Sequence, residues 1–413
     1  MTKKASGKSE LIVGLDIGTT KICTVVGEAT PNGVDVVGIG TCPSSGLRKG
    51  VVVNIEQTVQ CIKKALEEAE LMAGCEIRSV YAGIAGSHIK GFNSHGVIAV
   101  KGGEVGPRDV ERVLDAAKAV AIPLDREVIH ILPQEFIVDE QGGIADPIGM
   151  AGVRLEVKVH IVTGAVSSAQ NIIRSCHRAG LDVADIVLES LASAEAVLTP
   201  EEREIGVALV DLGGGTTDVA IFANNSIKYT SVLALGGSNL TNDIAFGLRT
   251  PMLAAEKIKI KYGCALTDIV QKDEIIEVPS VGGRDPRRVS RRVLAEICEP
   301  RVEEILALVE QDLAQSGCRS MVGAGVVFTG GTALLDGITE LGEQIFNLPA
   351  RVGYPREVGG LKDVVMSPMF STAVGLLMYG ARKEGLDQRF RIRDAHIFNR
   401  ILTRMRKWFS DIS

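Results

Sequence analysis

The strongest constraint on how this chain can fold is a motif that it carries twice. In LIVGLDIGTTKICTVVGE, from Leu11, an apolar strand-like run ends at Asp16, turns through small residues containing Thr-Thr, and returns as a second strand through Ile22 to Val26. The segment GVALVDLGGGTTDVAIF, from Gly206, repeats this grammar around Asp211. The two aspartates lie about half a chain apart, which predicts two related α/β lobes, each presenting a hairpin turn to a shared cleft. With 413 residues, 46% of them hydrophobic and 23% charged, the chain holds enough apolar material for two domain-sized cores.

The residue types in these turns suit phosphate. Phosphate oxygens demand backbone N–H groups at close approach, which glycine permits sterically and threonine supplements with a hydroxyl donor. Gly18, Thr19, Thr20 and Lys21 supply that equipment once, and Gly213, Gly214, Gly215, Thr216 and Thr217 supply it again. A divalent cation bridging phosphates needs hard oxygen ligands, often through its own waters, and Asp16 and Asp211 stand at the strand ends where such an ion would lie. In VVFTGGTALLDGI, Gly330, Gly331 and Thr332 form a third turn, where backbone can approach a base or ribose. Glu256 and Lys259 share a helix face and could bond ribose hydroxyls or adenine edges. Each motif alone has a plainer reading, a hairpin turn or a solvated charge pair; their combination points to a nucleoside triphosphate with a metal.

Other segments fill in the architecture. Ile55 to Ala73 sets Val59, Ile62, Leu66, Ala69 and Met72 on one face, and Ser167 to Ala179 ends at Gly180, a plausible C-cap; both read as core-facing helices. From about Gly86 to Thr163, short strand-like runs, one helix near Pro107 to Ala121 and many glycines read as a small inserted α+β module. Asn239 to Gly263 and Arg291 to Gln315 are helix-like. The uncharged stretch Val364 to Ala381 reads as a buried helix, and RKEGLDQRFRIRDA after it as a linker.

A formal net charge of -6 leaves no global basic surface for nucleic acid. The eight cysteines are scattered without metal-ligand spacing and read as reduced core residues. The apolar run near the start is interrupted at Gly14 and Asp16, so no export signal is expected there. The last segment, HIFNRILTRMRKWFSDIS, is different. At about 100° per residue, Ile397, Phe398, Ile401, Leu402, Met405, Trp408, Phe409 and Ile412 fall within an arc of about 140°, while Arg400, Arg404, Arg406 and Lys407 fall outside it. A docking helix on the protein's own surface would also be amphipathic. Basic residues edging the face, the chain's one Trp on it and a charged linker before it favour an interfacial membrane anchor.

The paired hairpins with GGTALLDGI resemble the superfamily of actin, sugar kinases and heat-shock chaperone ATPases. The resemblance implies an actin-like two-lobed ATPase fold of duplicated ribonuclease H-like lobes, binding ATP and Mg2+. It implies that Asp16, Thr19, Thr20, Lys21 and Gly213 to Thr217 cradle the phosphates and that Asp16 and Asp211 reach the metal through water. Gly330, Gly331, Thr332, Glu256 and Lys259 would hold the nucleoside. In IVLESLASAEAVL, Glu189 matches the position that places the attacking water, which would make it the catalytic residue, as general base or water orienter, although a Glu at a helix start is equally what the helix dipole favours.

Within the superfamily the chain is similar, over nearly its whole length, to the FtsA family of bacterial cell division proteins. That likeness rests on the insert, PMLAAEKIKIKYG, EIIEVPSVGGRDPRR and the tail. It implies subdomain 1A at 1–85, 164–205 and 366–381, an inserted 1C or SHS2 module at 86–163, 2A at 206–226 and 306–365, and 2B at 227–305. A linker at 382–395 and a membrane-binding helix at 396–413 would follow. The implied function is to polymerise on the cytoplasmic side of the membrane at the division site, tether the FtsZ ring and recruit later division proteins, with at most weak ATP hydrolysis. The basic cluster Arg284, Arg287, Arg288, Arg291, Arg292 and Arg301 would receive the FtsZ C-terminal peptide, Arg301 lying in the helix used by the family. No second-substrate pocket for a sugar kinase and no peptide-binding domain for a chaperone are evident. A pilus assembly adaptor of the PilM type shares the lobes and the insert and is the nearest alternative.

Overall fold

The computed structural model describes residues 11–389, apart from Asn32 and Lys272. The expected membrane-binding helix at 396–413 lies outside the described residues.

Both lobes are built on the same five-strand plan. In the first lobe Leu11–Ile17, Lys21–Thr30 and Gly33–Pro43 form an antiparallel meander, and Ser79–Ile84 and then Asp182–Leu188 add in parallel beside the first strand. In the second, Val207–Leu212, Thr217–Ala223 and Ser226–Leu233 form the meander, and Val326–Thr329 and Ala350–Val352 add in parallel. The helix Ile55–Ala73 packs on the first sheet. Asn54 caps its start by accepting from the Gln57 N–H, and Gly74, at φ 64°, ends it. Its approach to the sheet needs glycine at position 40, where a Cβ would lie 1.9 Å from the Ala65 carbonyl oxygen.

Strand alternation decides what each sheet face meets. On Val207–Leu212, Val207 and Leu209 belong to the core shared with the first lobe, while Ala208, Val210 and Leu212 belong to the core under the second lobe's helices. On Thr217–Ala223, Ala220 and Phe222 face the first lobe, and Val219 and Ile221 face the second lobe's interior. By the same parity Asp211 and Asp218 point toward the first lobe and Thr217 points away.

The segment 86–163 forms a four-stranded sheet of Lys90–Ala99, Arg154–Ala165, Arg126–Val138 and Gln141–Ile144, with the helix Pro107–Lys118 on one face and a core of its own. It leaves the first lobe's chain but docks on Ser226–Leu233, the edge strand of the second. The His160 ring bonds Thr230 Oγ1 at 2.8 Å and Asn93 Oδ1 at 2.7 Å, and the Gln134 amide donates to the Ile227 carbonyl at 2.8 Å.

Several expected boundaries move. The run Val364–Ala381 is not one helix: Pro368 forces Ser367 into extended backbone, so a short helix, Lys362–Val365, is separated from the helix Ser371–Arg389. That last helix continues past Ala381, so the first part of the expected linker at 382–395 is helical, held by Lys383 on Asp185 at 2.6 Å and Arg382 on Glu195 at 2.5 Å. A division at 227 falls inside Ser226–Leu233, and one at 305 inside the helix Arg291–Gln315. The strand Val358–Gly360 pairs with Gly33–Pro43, so 306–365 does not lie wholly in the second lobe. No helix of the described residues is long and apolar enough to cross a membrane.

Candidate functional site

The two Asp-tipped turns meet. Each closes through the same bond, Gly18 N–H to the Lys21 carbonyl at 3.1 Å and Gly213 N–H to the Thr216 carbonyl at 3.0 Å. They press together so closely that a Cβ at Gly214 would lie 2.4 Å from Thr20 Cγ2, and one at Gly215 would lie 2.5 Å from Thr19 Oγ1. Beside them opens a cavity of ≈ 250 Å³, lined by Asp16, Gly18, Thr19, Thr20 and Lys21 from one lobe and by Asp211, Gly213, Gly214, Gly215 and Thr216 from the other. Gly330, Gly331, Thr332, Glu256, Lys259 and Glu189 complete the expected set along its wall.

Thr217 is the exception. Its side chain is buried on the far face of its strand and its hydroxyl donates to the Leu235 carbonyl at 2.9 Å, so the expected role in holding a ligand is corrected to an internal tie. The residue that strand alternation turns into the cavity is its neighbour, Asp218, opposite Asp211 in the strand register.

Glu256 and Lys259 are not a solvated pair. They are 2.8 Å apart, and the buried Lys259 ammonium also donates to the Gly237 carbonyl at 3.1 Å and Thr241 Oγ1 at 2.9 Å. Gly330 has φ 84° and ψ 168°, a conformation open to glycine alone, and a Cβ there would lie 2.4 Å from Asp211 Oδ1.

Besides Glu256, which is paired with Lys259, four buried carboxyl groups, Asp16, Glu189, Asp211 and Asp218, crowd this cavity, and their charges are expensive. Burial, only partly offset by Lys21 and reinforced by Asp211, pushes Asp16 up to about 6. Burial and Asp211 push Asp218 up to about 7, and burial with the neighbouring aspartates raises Glu189 well above the usual carboxylate range. Burial raises Asp211 too, against the hydrogen bonds from Ser193 and Thr372. The Lys21 ammonium donates to the Met369 carbonyl and sits 4.3 Å over the Phe370 ring. Asp218 Oδ1 is buried with no hydrogen-bond partner.

These residues fit a hydrated divalent cation. Among the described residues no three His, Cys, Asp or Glu side chains are arranged to ligate a metal directly. A Mg2+ that keeps most of its waters and takes its other oxygens from phosphate needs no such cage. An orphaned carboxylate oxygen beside Asp16 and Asp211 is the kind of acceptor a metal-bound water satisfies.

Sequence reasoning missed Asp218, Ser193 and Thr372. Asp218 carried a signal, since it directly follows Thr-Thr in GGGTTD and shares Asp211's strand parity. The two hydroxyls reach the cleft only through helix packing and left no local pattern.

Arg301 stands elsewhere, on Arg291–Gln315. Its guanidinium bonds Asp243 at 2.5 Å and also pairs with Glu304. Arg291 is paired with Glu274 at 2.8 Å and with Asp336, and Arg287 donates to the Leu248 carbonyl. Arg292 pairs with Glu296 at 3.5 Å, so the expected basic cluster is neutralised in part within the fold, while Arg284, Arg287 and Arg288 are exposed.

Comparison with known proteins is decisive on family. The family model described as Cell division protein FtsA matches residues 208–375, and that of the SHS2 domain inserted in FTSA matches 86–163. The FtsA of Pseudomonas aeruginosa is 55% identical over 385 residues, covering 93% of this chain and 92% of that protein. The chain belongs to the FtsA family. FtsA of Escherichia coli K12 is 44% identical over 90% of both chains, and that of Bacillus subtilis 39% over 92% of this chain and 86% of its own. Among solved structures, the PilM-PilN type IV pilus biogenesis complex matches with a TM-score of 0.66 at 17% identity, covering 90% of this chain and 98% of that chain. MreB5 of Spiroplasma citri bound to ADP matches with a TM-score of 0.52 at 15% identity, covering 92% and 99%. At those identities the likeness is one of fold: this FtsA-family chain has the two-lobed actin-like architecture with an inserted SHS2 module.

Proposed function

We propose that this protein binds Mg-ATP between its lobes and uses it to assemble a division scaffold at the cytoplasmic face of the membrane. The observation that supports this reading above the others is the contact of the two glycine-threonine turns beside one carboxylate-lined cavity. Backbone N–H groups of Gly18 to Lys21 and Gly213 to Thr216 would meet phosphate oxygens, and Lys21, released from the Met369 carbonyl, would add a charge. Gly330 to Thr332, Glu256 and Lys259 would hold the nucleoside. Asp16, Asp211 and Asp218 would accept from the waters of Mg2+, which when bound neutralises phosphate charge. Glu189, on the cavity wall, would orient the attacking water or act as its general base.

Membership of the FtsA family, with relatives at 39% to 55% identity against 17% for the PilM complex, favours division over pilus assembly. The proposed partners are FtsZ through its C-terminal peptide at the second lobe near Arg301, further copies of the chain in a filament, later division proteins, and anionic lipid through 396–413. Four cations at about 1 kcal/mol each would make single-chain attachment reversible, and a filament would make it lasting. The test is sedimentation with anionic liposomes, with and without Mg-ATP, for the full chain and for a chain ending at Ala395. The reading expects Mg-ATP binding by both and sedimentation by the full chain alone; co-sedimentation of the truncated chain contradicts it.

A further inference from the structure

Asp211 belongs to the second lobe, but the groups that hold it belong to the first. Ser193, fully buried on the helix Glu189–Val197, donates to Asp211 Oδ2 at 2.6 Å. Thr372, in the first turn of Ser371–Arg389, donates to the same oxygen at 3.3 Å and lies 3.0 Å from Ser193 Oγ. Both hydroxyls therefore converge on one oxygen of the carboxylate. The other, Oδ1, is left beside Gly330, on a residue that lines the cavity.

The arrangement follows from the strand parity that turns Asp211 toward the first lobe, where the two helices pack on one another. A neighbouring tie repeats it: Thr329 of the second lobe donates to Ser371 Oγ at 2.7 Å. A carboxylate on a strand end has freedom about both side-chain torsions. Two O–H donors on Oδ2 remove that freedom and favour the ionised form that accepts from a hydrated cation. They also make Asp211's orientation depend on the first lobe's position.

We propose that Ser193 and Thr372 are positioning residues for Mg2+, orienting Asp211 across the lobe boundary so that metal affinity, and not nucleotide affinity as such, depends on them. The proposal rests on the Mg-ATP reading above. Ser193 lies behind the cavity wall and acts through Asp211 alone, whereas Thr372 also lines the cavity.

The test is binding of a fluorescent ATP analogue to the full chain across a Mg2+ titration, with a metal-free arm in EDTA. Ser193→Ala and Thr372→Val remove one hydroxyl each, while Thr372→Ser keeps it. The expected result is a Mg2+ midpoint raised about tenfold in Ser193→Ala and Thr372→Val and little changed in Thr372→Ser, with the metal-free affinity of Ser193→Ala as in the wild type. Unchanged midpoints in both hydroxyl-removing variants overturn the proposal. So does an equal loss by Ser193→Ala in the metal-free arm, which would mark a merely structural role. A wild-type chain that binds no nucleotide in either arm removes the Mg-ATP reading itself, a result distinct from the other two.

Discussion

A methyl group added at Gly214 would test the meeting of the two turns more sharply than any change to a charged residue. The Cβ would stand 2.4 Å from Thr20 Cγ2 and 2.5 Å from Thr20 Oγ1. Carbon atoms in good contact stand about 3.5–4.0 Å apart, so the turns must part by roughly 1 Å or Thr20 must leave its rotamer. Overpacking of that size costs about 1–3 kcal/mol. If the nucleotide-bound form needs the turns together, that cost falls on binding, and the affinity of Gly214→Ala for Mg-ATP drops by a factor of about 5 to 150. Thr20→Ser removes Cγ2 while keeping the hydroxyl, so part of the loss should be relieved in the double variant. Calorimetry across the four proteins gives the coupling directly. Wild-type affinity in Gly214→Ala, or strictly additive effects with Thr20→Ser, would refute the contact between turns as a determinant of binding.

Other perturbations address other parts of the molecule. Because Arg301 is spent on Asp243, Arg301→Glu should cost about 1 kcal/mol by replacing an ion pair with repulsion; the swap Arg301→Asp with Asp243→Arg should restore the melting temperature, and a swap no more stable than the single variant would contradict the pairing. Binding of the FtsZ C-terminal peptide, if Arg301 also serves it, should stay lost in the swapped protein, as fluorescence anisotropy would report. Burial holds His160 down to about 4, so it stays neutral in the folded protein while the unfolded chain takes up its proton. Its contribution is therefore intact above about pH 6.5 and declines as pH falls toward 4, by up to about 3 kcal/mol. Asp16 and Asp218, raised by burial, slope the opposite way between about pH 4 and 7, so the measurement is the difference between wild type and His160→Gln in urea melts. Equal pH slopes in the two proteins would refute the neutral buried histidine.

The fold was legible where a local pattern carries it. Asp-Gly-Thr turns between β-rich runs announced both meanders, and the half-chain repeat announced the second lobe. Less was legible where packing decides. Thr217 looked equivalent to Thr216 as a motif letter, yet Thr216 stays in the turn at the cavity wall while Thr217 opens the strand and faces away, and the pleat exposes Asp218 to the cavity. Ser193 and Thr372 sit in ordinary helical stretches, and only the docking of two helices against the lobe boundary brings them to Asp211. The Arg cluster read as a basic patch because its partners, Asp243, Glu274 and Asp336, are distant in sequence. The helix after Ala381 read as a linker because charge without apolar periodicity conceals its anchoring by Asp185 and Glu195.

The central claim is that Asp16 and Asp211, one from each lobe, act on a single Mg-nucleotide. Titration calorimetry of ATP in saturating Mg2+ against wild type, Asp16→Asn, Asp211→Asn and the double variant tests it. The account predicts one site per chain, a large loss in either single variant and little further loss in the double, because both carboxylates serve one ion. Independent losses that sum in the double variant, or wild-type binding in either single one, would contradict it.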